Sequence, residues 1–173
     1  MNYISYYNSP VGKLTLVSNE AKLIGLFLEG QKFYMRTIQG DCIEEETDIH
    51  ILVKNWLSSY FKGENPTLSV PLAPSGTPFQ LSVWEILLKI PYGSTCSYKD
   101  IANTIAKNRG LSSMSSQAIG SAVGHNPISI LIPCHRVVGS DGSLTGYAGG
   151  VNRKMALLEL EGIQISRKGS DLS

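Results

Sequence analysis

The sequence predicts an α+β protein in two parts: an antiparallel β meander followed by one helix, then a mostly α-helical second half. Three observations carry this. Residues 3–28 hold strand-forming segments separated by turn residues, residues 49–61 carry apolar side chains at helical spacing, and four prolines punctuate residues 64–78 before a run of further helical segments. The chain has 173 residues, 42% hydrophobic and 17% charged, enough for one domain or two small ones with a packed core.

In the first half, Tyr3–Tyr7 has strong strand propensity, Lys13–Val17 alternates roughly with period two, Ser18-Asn19-Glu20 is a turn, and Lys22–Leu28 returns as a third strand. Residues 31–46 show no clear period, and Glu44-Glu45-Glu46 reads as a solvated face. Ile49, Leu52, Val53, Trp56, Leu57, Tyr60 and Phe61 then recur at helical spacing, with Thr47 or Asp48 to cap the start and Gly63 the end. This aromatic stripe is expected to pack on the meander. Pro66, Pro71, Pro74 and Pro78 block helix continuation and strand pairing, so residues 66–77 read as a linker between a structural domain, 1–65, and a functional one, 78–165, with 166–173 a loose tail.

The second half opens on a capping box, Thr77-Pro78-Phe79-Gln80, and a helix to about Lys89 that presents Phe79, Val83, Ile86, Leu87 and Ile90. Ser97–Lys107 forms the next helix, with Ile101, Ala102, Ile105 and Ala106 inward. After a polar loop, Ser116–Gly124 buries Ala118, Ile119, Ala122 and Val123. Two short helices with a loop between them suggest a helix-turn-helix, and Gly120, Ser121 and Gly124 would admit a nucleic-acid backbone; an ordinary packed pair fits the pattern equally well. Asn126-Pro127 is a turn, Ile128–Ile132 a buried strand-like run, and the glycines around Tyr147 form a loop able to lie against a flat ligand. A last helix runs from Asn152 to Gly162 and buries Met155, Leu157 and Leu158.

Composition narrows the function classes. No apolar run reaches membrane-spanning length and no secretory signal opens the chain, which predicts a cytoplasmic protein. Three cysteines and three histidines without motif spacing argue against a disulfide framework or a bound metal. Residues 1–78 hold six Lys/Arg and eight Asp/Glu, net −2, and residues 79–173 hold nine and six, net +3. The second half is the better partner for an anion, although this excess alone does not specify nucleic acid.

The residues of chemical interest meet at Ile132-Pro133-Cys134-His135-Arg136-Val137-Val138-Gly139. A cysteine among apolar residues is more often buried filler than a nucleophile. Its flanks alter that balance. Pro133–Val138, preceded by Asn126-Pro127 and followed by Gly146-Tyr147-Ala148-Gly149-Gly150, resembles the active-site signature of the O6-alkylguanine-DNA alkyltransferases, the methylated-DNA–protein-cysteine methyltransferases. The likeness extends through Phe79–Leu88, Gly93–Tyr98 and Leu157–Gly162 and covers residues 77–163; the first half matches only in general character, as a ribonuclease H-like meander plus helix.

The resemblance implies a winged helix-turn-helix-like second domain and DNA repair by direct reversal, with O6-alkylguanine as substrate and O4-alkylthymine as a second candidate. Cys134 would accept the alkyl group in a single turnover, without cofactor or metal, because a thioether has no good leaving group. His135 would act as base through a water, oriented by Glu161, and Asn126 would brace the turn. Tyr98 would hydrogen-bond guanine N3; without the resemblance it reads as a core-packing residue. The carbonyls of Cys134 and Val137 would read the guanine amino group, the Ala148 N–H would reach O6, and Tyr147 would line the pocket, while Arg136 would make a structural ion pair. Gln117, Ala118, Ser121 and Gly124 would meet double-stranded DNA in its minor groove, the protein acting as a monomer on a flipped nucleotide. Two positions depart from the family pattern: Gln117 replaces an arginine that fills the gap left by the flipped base, and Ser129 replaces a proline over the pocket, which would widen it. Three readings compete: a sensor or DNA-binding module without transfer, a regulator, and a cysteine hydrolase. The acceptor cysteine argues against the first, no ligand or partner domain supports the second, and nothing specifies an oxyanion hole for the third.

Overall fold

The computed structural model describes residues 1–144 and 146–165. The chain forms two compact units, Met1–Ser75 with Pro127–Leu131, and Gly76–Asn126 with Ile132 onward. The expected tail, 166–173, lies outside the described residues.

The first unit is a four-stranded sheet in the order β3-β2-β1-β4, with β1 Asn2–Ser9, β2 Gly12–Ser18, β3 Leu23–Leu28 and β4 Cys42–Glu44. The first three strands form the expected antiparallel meander. The fourth, hidden in the unassigned residues 31–46, runs parallel to β1, pairing Tyr3 with Ile43. Three residues are too few to show a period, and Glu44–Glu46 are exposed as anticipated. The segment leading to β4 turns through Phe33 and Met35, both at positive φ (61° and 58°), which residue type does not signal. It also covers the sheet: the Tyr34 hydroxyl hydrogen-bonds Thr15 Oγ1 at 2.8 Å, and Tyr34 packs edge-on against Phe27.

Helix α1, Asp48–Phe61, is capped by Thr47. Its buried stripe is Ile49, His50, Val53, Leu57 and Tyr60. Leu52, expected inside, is 44% exposed, and buried His50 was not anticipated. His50 completes the capping box in place of the usual Glu or Gln: its Nδ1 accepts the Thr47 N–H at 2.9 Å, and its Nε2 lies 3.1 Å from the Leu16 carbonyl. In the aromatic stripe Tyr60 is buried while Trp56 and Phe61 are half-buried, with Trp56 stacked on Tyr60 and Phe61 on Tyr7.

The proline-rich stretch differs from a free linker. Leu23 N–H donates to Pro71 O and Ala73 N–H to Leu23 O, a parallel bridge onto β3. Pro71 can sit there because its carbonyl, not its missing N–H, joins the ladder. Pro127–Leu131 also belongs to this unit: Leu26 N–H donates to Pro127 O and Ser129 N–H to Leu26 O. The expected strand at Ile128–Ile132 is reduced to this one bridge, because Ile130 turns the chain at φ 72°. A run of buried apolar residues cannot reveal such a turn by its pattern.

The second unit contains α2 Pro78–Leu88, β5 Cys96–Ser97, α3 Tyr98–Asn108, α4 Ser116–Gly124, a 3₁₀ turn at Cys134–Arg136, β6 Val137–Val138 and α5 Val151–Leu160. Thr77 and Gln80 make the predicted capping box, and Ser97 with Asp100 makes another at α3. All four residues predicted inward on α3 are buried. On α2 the buried residues are Val83, Trp84 and Leu87, whereas Phe79 and Ile86 are half-buried. Trp84 replaces them because its Nε1–H donates to Ala122 O at 2.9 Å, fixing α2 to α4. On α4, Ile119, Ala122 and Val123 are buried and Ala118 is half-buried. Strands β5 and β6 pair in parallel, Cys96 with Val137. On α5 the buried residues are Lys154, Leu157 and Leu158, with Met155 half-buried. Among the described residues, no helix is long and apolar enough to cross a membrane.

Candidate active site

Cys134 opens the 3₁₀ turn that follows Pro133. Three backbone bonds fix it: Cys134 N–H donates to Ile132 O at 2.8 Å, Arg136 N–H to Pro133 O, and Val137 N–H to Cys134 O. Asn126, in the segment after α4, braces the same turn by donating from Nδ2 to Ile132 O at 2.8 Å. The sulfur is buried, 4% exposed. Burial pushes the thiol up; a hydrogen bond from the Asn126 side chain and then the positive charge of Lys154 pull it back.

His135 points to α5, where Glu161 occupies the C-cap. His135 Nε2 lies 2.6 Å from Glu161 Oε2, and both side chains are fully buried. Glu161 also accepts Arg136 Nε on Oε1 at 2.8 Å, Arg136 Nη2 on Oε2 at 3.1 Å and the Gly93 N–H on Oε1 at 3.0 Å. Arg136 Nη1 donates to Ile90 O at 2.7 Å. The carboxylate is thus held in one orientation by donors from two chain segments, the 3₁₀ turn and Gly93. With Nε2–H donating to it, the lone pair of the neutral ring resides on Nδ1. Burial pushes His135 down and Glu161 pushes it up, the burial effect being larger, so the imidazole is neutral near pH 7.

Tyr98, the first residue of α3, is half-buried and pushed up to about 12, mainly by burial and then by Cys134. Its phenol therefore stays protonated and can donate. Tyr98 shares a cavity of about 510 Å³ with Ser116, Gln117, Gly120, Ser121 and Gly146. Gly146 is at φ 76°, and a Cβ there would lie 2.9 Å from the Tyr98 hydroxyl, so only glycine keeps this space open. The residue before it, Thr145, is not described.

The sequence-predicted residues therefore divide. Cys134, His135, Glu161 and Asn126 are assembled around one turn, with Val137, fully buried, closing it. Tyr98, Gln117 and Ser121 border the cavity; Ala118 and Gly124 lie on the same helix but do not line it. Tyr147 is buried and Ala148 half-buried in the glycine loop. Ser129 is buried in the first unit, its N–H committed to Leu26 O. Lys154 was missed. The signal was available: Lys154, Leu157, Leu158 and Glu161 recur at i, i+3, i+4 and i+7, one helical face shared with the residue that holds His135.

Residues 78–163 match the model of the 6-O-methylguanine DNA methyltransferase DNA-binding domain, and residues 2–74 that of the same family's ribonuclease-like domain. The chain belongs to the 6-O-methylguanine DNA methyltransferase family. Relatives in that family are alike over nearly their whole length. The methylated-DNA–protein-cysteine methyltransferase of Methanosarcina barkeri is 45% identical over 160 residues, 92% of this chain and 96% of that one. The constitutive enzyme of the same name from Bacillus subtilis is 37% identical over 97% of this chain and 100% of its own. Among solved structures, Mycobacterium tuberculosis OGT in complex with DNA superposes with a TM-score of 0.81 at 38% identity, covering 99% of each chain. The mixed α+β fold, with its sheet in the first half and helices in the second, is that of the family.

Proposed function

We propose that this protein repairs DNA by direct reversal, taking the alkyl group of O6-alkylguanine onto Cys134 in one stoichiometric turnover. The observation that carries the reading is the 2.6 Å contact between His135 Nε2 and Glu161, which leaves Nδ1 as the basic nitrogen of a neutral ring beside the cysteine. Attack at an alkyl carbon needs a thiolate, and a buried thiol is a poor source of one unless a base takes its proton. His135 accepts that proton through a water, and Glu161 stabilises the imidazolium that results. Sulfur forms a bond to the alkyl carbon as the carbon–O6 bond breaks. Tyr98, held protonated, donates a hydrogen bond at guanine N3 that offsets the negative charge building on the purine as it leaves, and the departing purine takes its proton from water. The carbonyls of Cys134 and Val137 and the Ala148 N–H read the base, and Tyr147 lines its pocket.

The substrate carbon is out of reach inside a stacked duplex, so the damaged nucleotide is flipped out. The names of the relatives and the DNA complex of the mycobacterial protein support DNA as the partner. The exposed side of α4, with Gln117 and Ser121 and the small residues Ala118 and Gly124, is the surface assigned to the minor groove, bound by one copy of the chain. Gln117 lacks the charge of an arginine, so Gln117→Arg tightens duplex binding, read by fluorescence anisotropy; unchanged affinity would remove that role for position 117.

The direct test is a duplex carrying O6-[³H-methyl]guanine. One label per protein is expected on the peptide containing Cys134. Cys134→Ala should abolish transfer and retain DNA binding; label on the variant would overturn the proposal.

A further inference from the structure

Between α2 and β5, Pro91-Tyr92-Gly93-Ser94 forms a β-turn, with Ser94 N–H donating to Pro91 O at 3.1 Å. Gly93 is exposed, yet its N–H reaches Glu161 Oε1 at 3.0 Å, on a side chain that is fully buried. The φ angle is positive at Gly93 (77°) and not at Tyr92. Positive φ at the third position alone marks a type II turn, whose central peptide is turned over relative to the commoner type I. That peptide carries the Gly93 N–H. In a type I turn it would present the Tyr92 carbonyl on the same side, and an oxygen would face the carboxylate. Space does not demand the glycine, because a Cβ at 93 would meet only Glu161 O, at 3.4 Å, an ordinary contact. The backbone conformation demands it.

The residues beside Gly93 reach the same group of side chains. Arg136 Nη1 donates to Ile90 O at 2.7 Å, and the Arg136 guanidinium lies 5.8 Å from the centroid of the Tyr92 ring, within cation–π range. The Tyr92 hydroxyl donates to Leu160 O at 3.4 Å, at the end of α5 where carbonyls lack helical partners. The turn therefore grips Glu161 and the end of α5 on one side and Arg136 on the other. The charged and titratable groups facing Glu161 are His135, Arg136 and Tyr92, and Lys154 acts on His135 from α5.

We propose that Gly93 and Tyr92 are positioning residues for alkyl transfer: the type II turn at 91–94 aims the Glu161 carboxylate at His135, and so makes His135 an effective base for Cys134. This rests on the transfer reading of the site and assigns the element that keeps its base aligned. Neither residue gives or takes a proton; the proton lost from Sγ passes to His135 through a water as before. A carboxylate that swings away from Nε2 stabilises the imidazolium less, so the thiolate forms only at higher pH. A turn with a merely structural role would change stability and leave the pH profile of the folded protein where it is.

The experiment compares wild type, Gly93→Ala, Gly93→Asn and Tyr92→Leu. Methyl transfer from a saturating O6-methylguanine duplex is followed from pH 6 to 9, beside alkylation of the Cys134 peptide by iodoacetamide, with urea unfolding to confirm that rates are taken on folded protein. Gly93→Ala should slow transfer at pH 7 about tenfold, the scale of one hydrogen bond to a charged group, and raise the inflection of Cys134 alkylation by about one unit. The loss should shrink toward pH 9, where the thiolate forms without the base. Gly93→Asn, which tolerates positive φ, should recover most of the rate at pH 7. Tyr92→Leu should slow transfer about threefold, the scale of one cation–π contact, with the same pH dependence. A folded Gly93→Ala with the rate and inflection of wild type overturns the proposal, as does a loss that stays constant across the pH range. Should Gly93→Ala not fold, Tyr92→Leu decides the question by the same two readings. If wild type transfers no methyl group, the functional reading fails, while the iodoacetamide profiles still decide the role of the turn.

Discussion

His50 in the first unit and His135 in the second are both fully buried, and burial lowers the pKa of each. Their surroundings set them apart. His50 uses both ring nitrogens on its own unit's backbone, taking the Thr47 N–H at Nδ1 and meeting Leu16 O at Nε2. Protonation would turn Nδ1 into a donor facing a donor, so that ring is locked neutral and serves the fold. His135 instead directs Nε2 to a carboxylate, which favours the protonated ring. Burial alone does not make a histidine catalytic; a charged partner that rewards proton uptake does. Glu161 is itself held by Arg136 and Gly93, so the reward is aimed as well as present.

The comparison can be broken most sharply by exchanging roles. His135→Asn should slow methyl transfer by about a hundredfold or more, the scale of a lost general base, with duplex binding intact. His50→Asn should leave the transfer rate within about twofold and lower the unfolding free energy by about 1–3 kcal/mol, read by urea denaturation. Equal losses of rate in the two variants would erase the distinction.

The carboxylate is tested by stability. Glu161→Gln leaves the buried Arg136 guanidinium without its counter-charge and should cost about 3 kcal/mol of stability. A melting temperature equal to wild type would mean that the network is not holding the turn to α5. In the first unit, Glu46→Gln removes an ion pair with Lys54 at the surface and should leave the urea midpoint unchanged.

A further test sharpens the comparison through pH. Both histidines have folded pKa values below the ordinary 6.5. The unfolded chain therefore binds more protons just below that value, so their contribution is fully present above it and is lost as pH falls through the folded values. Stability should decline between pH 6.5 and 5 with a slope of up to about 1.4 kcal/mol per pH unit for each proton taken up. A flat urea midpoint across that window would contradict neutral burial of both rings.

Much of this protein was legible in its sequence because local signals and tertiary packing agree there. The capping boxes at Thr77 and Ser97 are chemistry within four residues, and the inward face of α3 follows its spacing without exception. Tertiary partners overrode propensity elsewhere. Trp84 is inside because it finds the Ala122 carbonyl, and Leu52 is outside because His50 takes the buried position and caps the helix at once. The proline stretch pairs although proline lacks an N–H, because the Pro71 carbonyl still accepts from Leu23.

For the site, the sequence by itself set the proposed reactive pair side by side. Cys134 and His135 are neighbours in the chain, and the flanking Asn126, Tyr98 and Glu161 follow from the family resemblance. Only the tertiary structure decided the electrical state of that pair. Twenty-five residues separate Arg136 from Glu161, and α3 and α5 bring Tyr98 and Lys154 together from distant parts of the chain. Whether a thiol ionises depends on the charges within a few ångströms and the water excluded around it, and neither quantity is written in the order of residues.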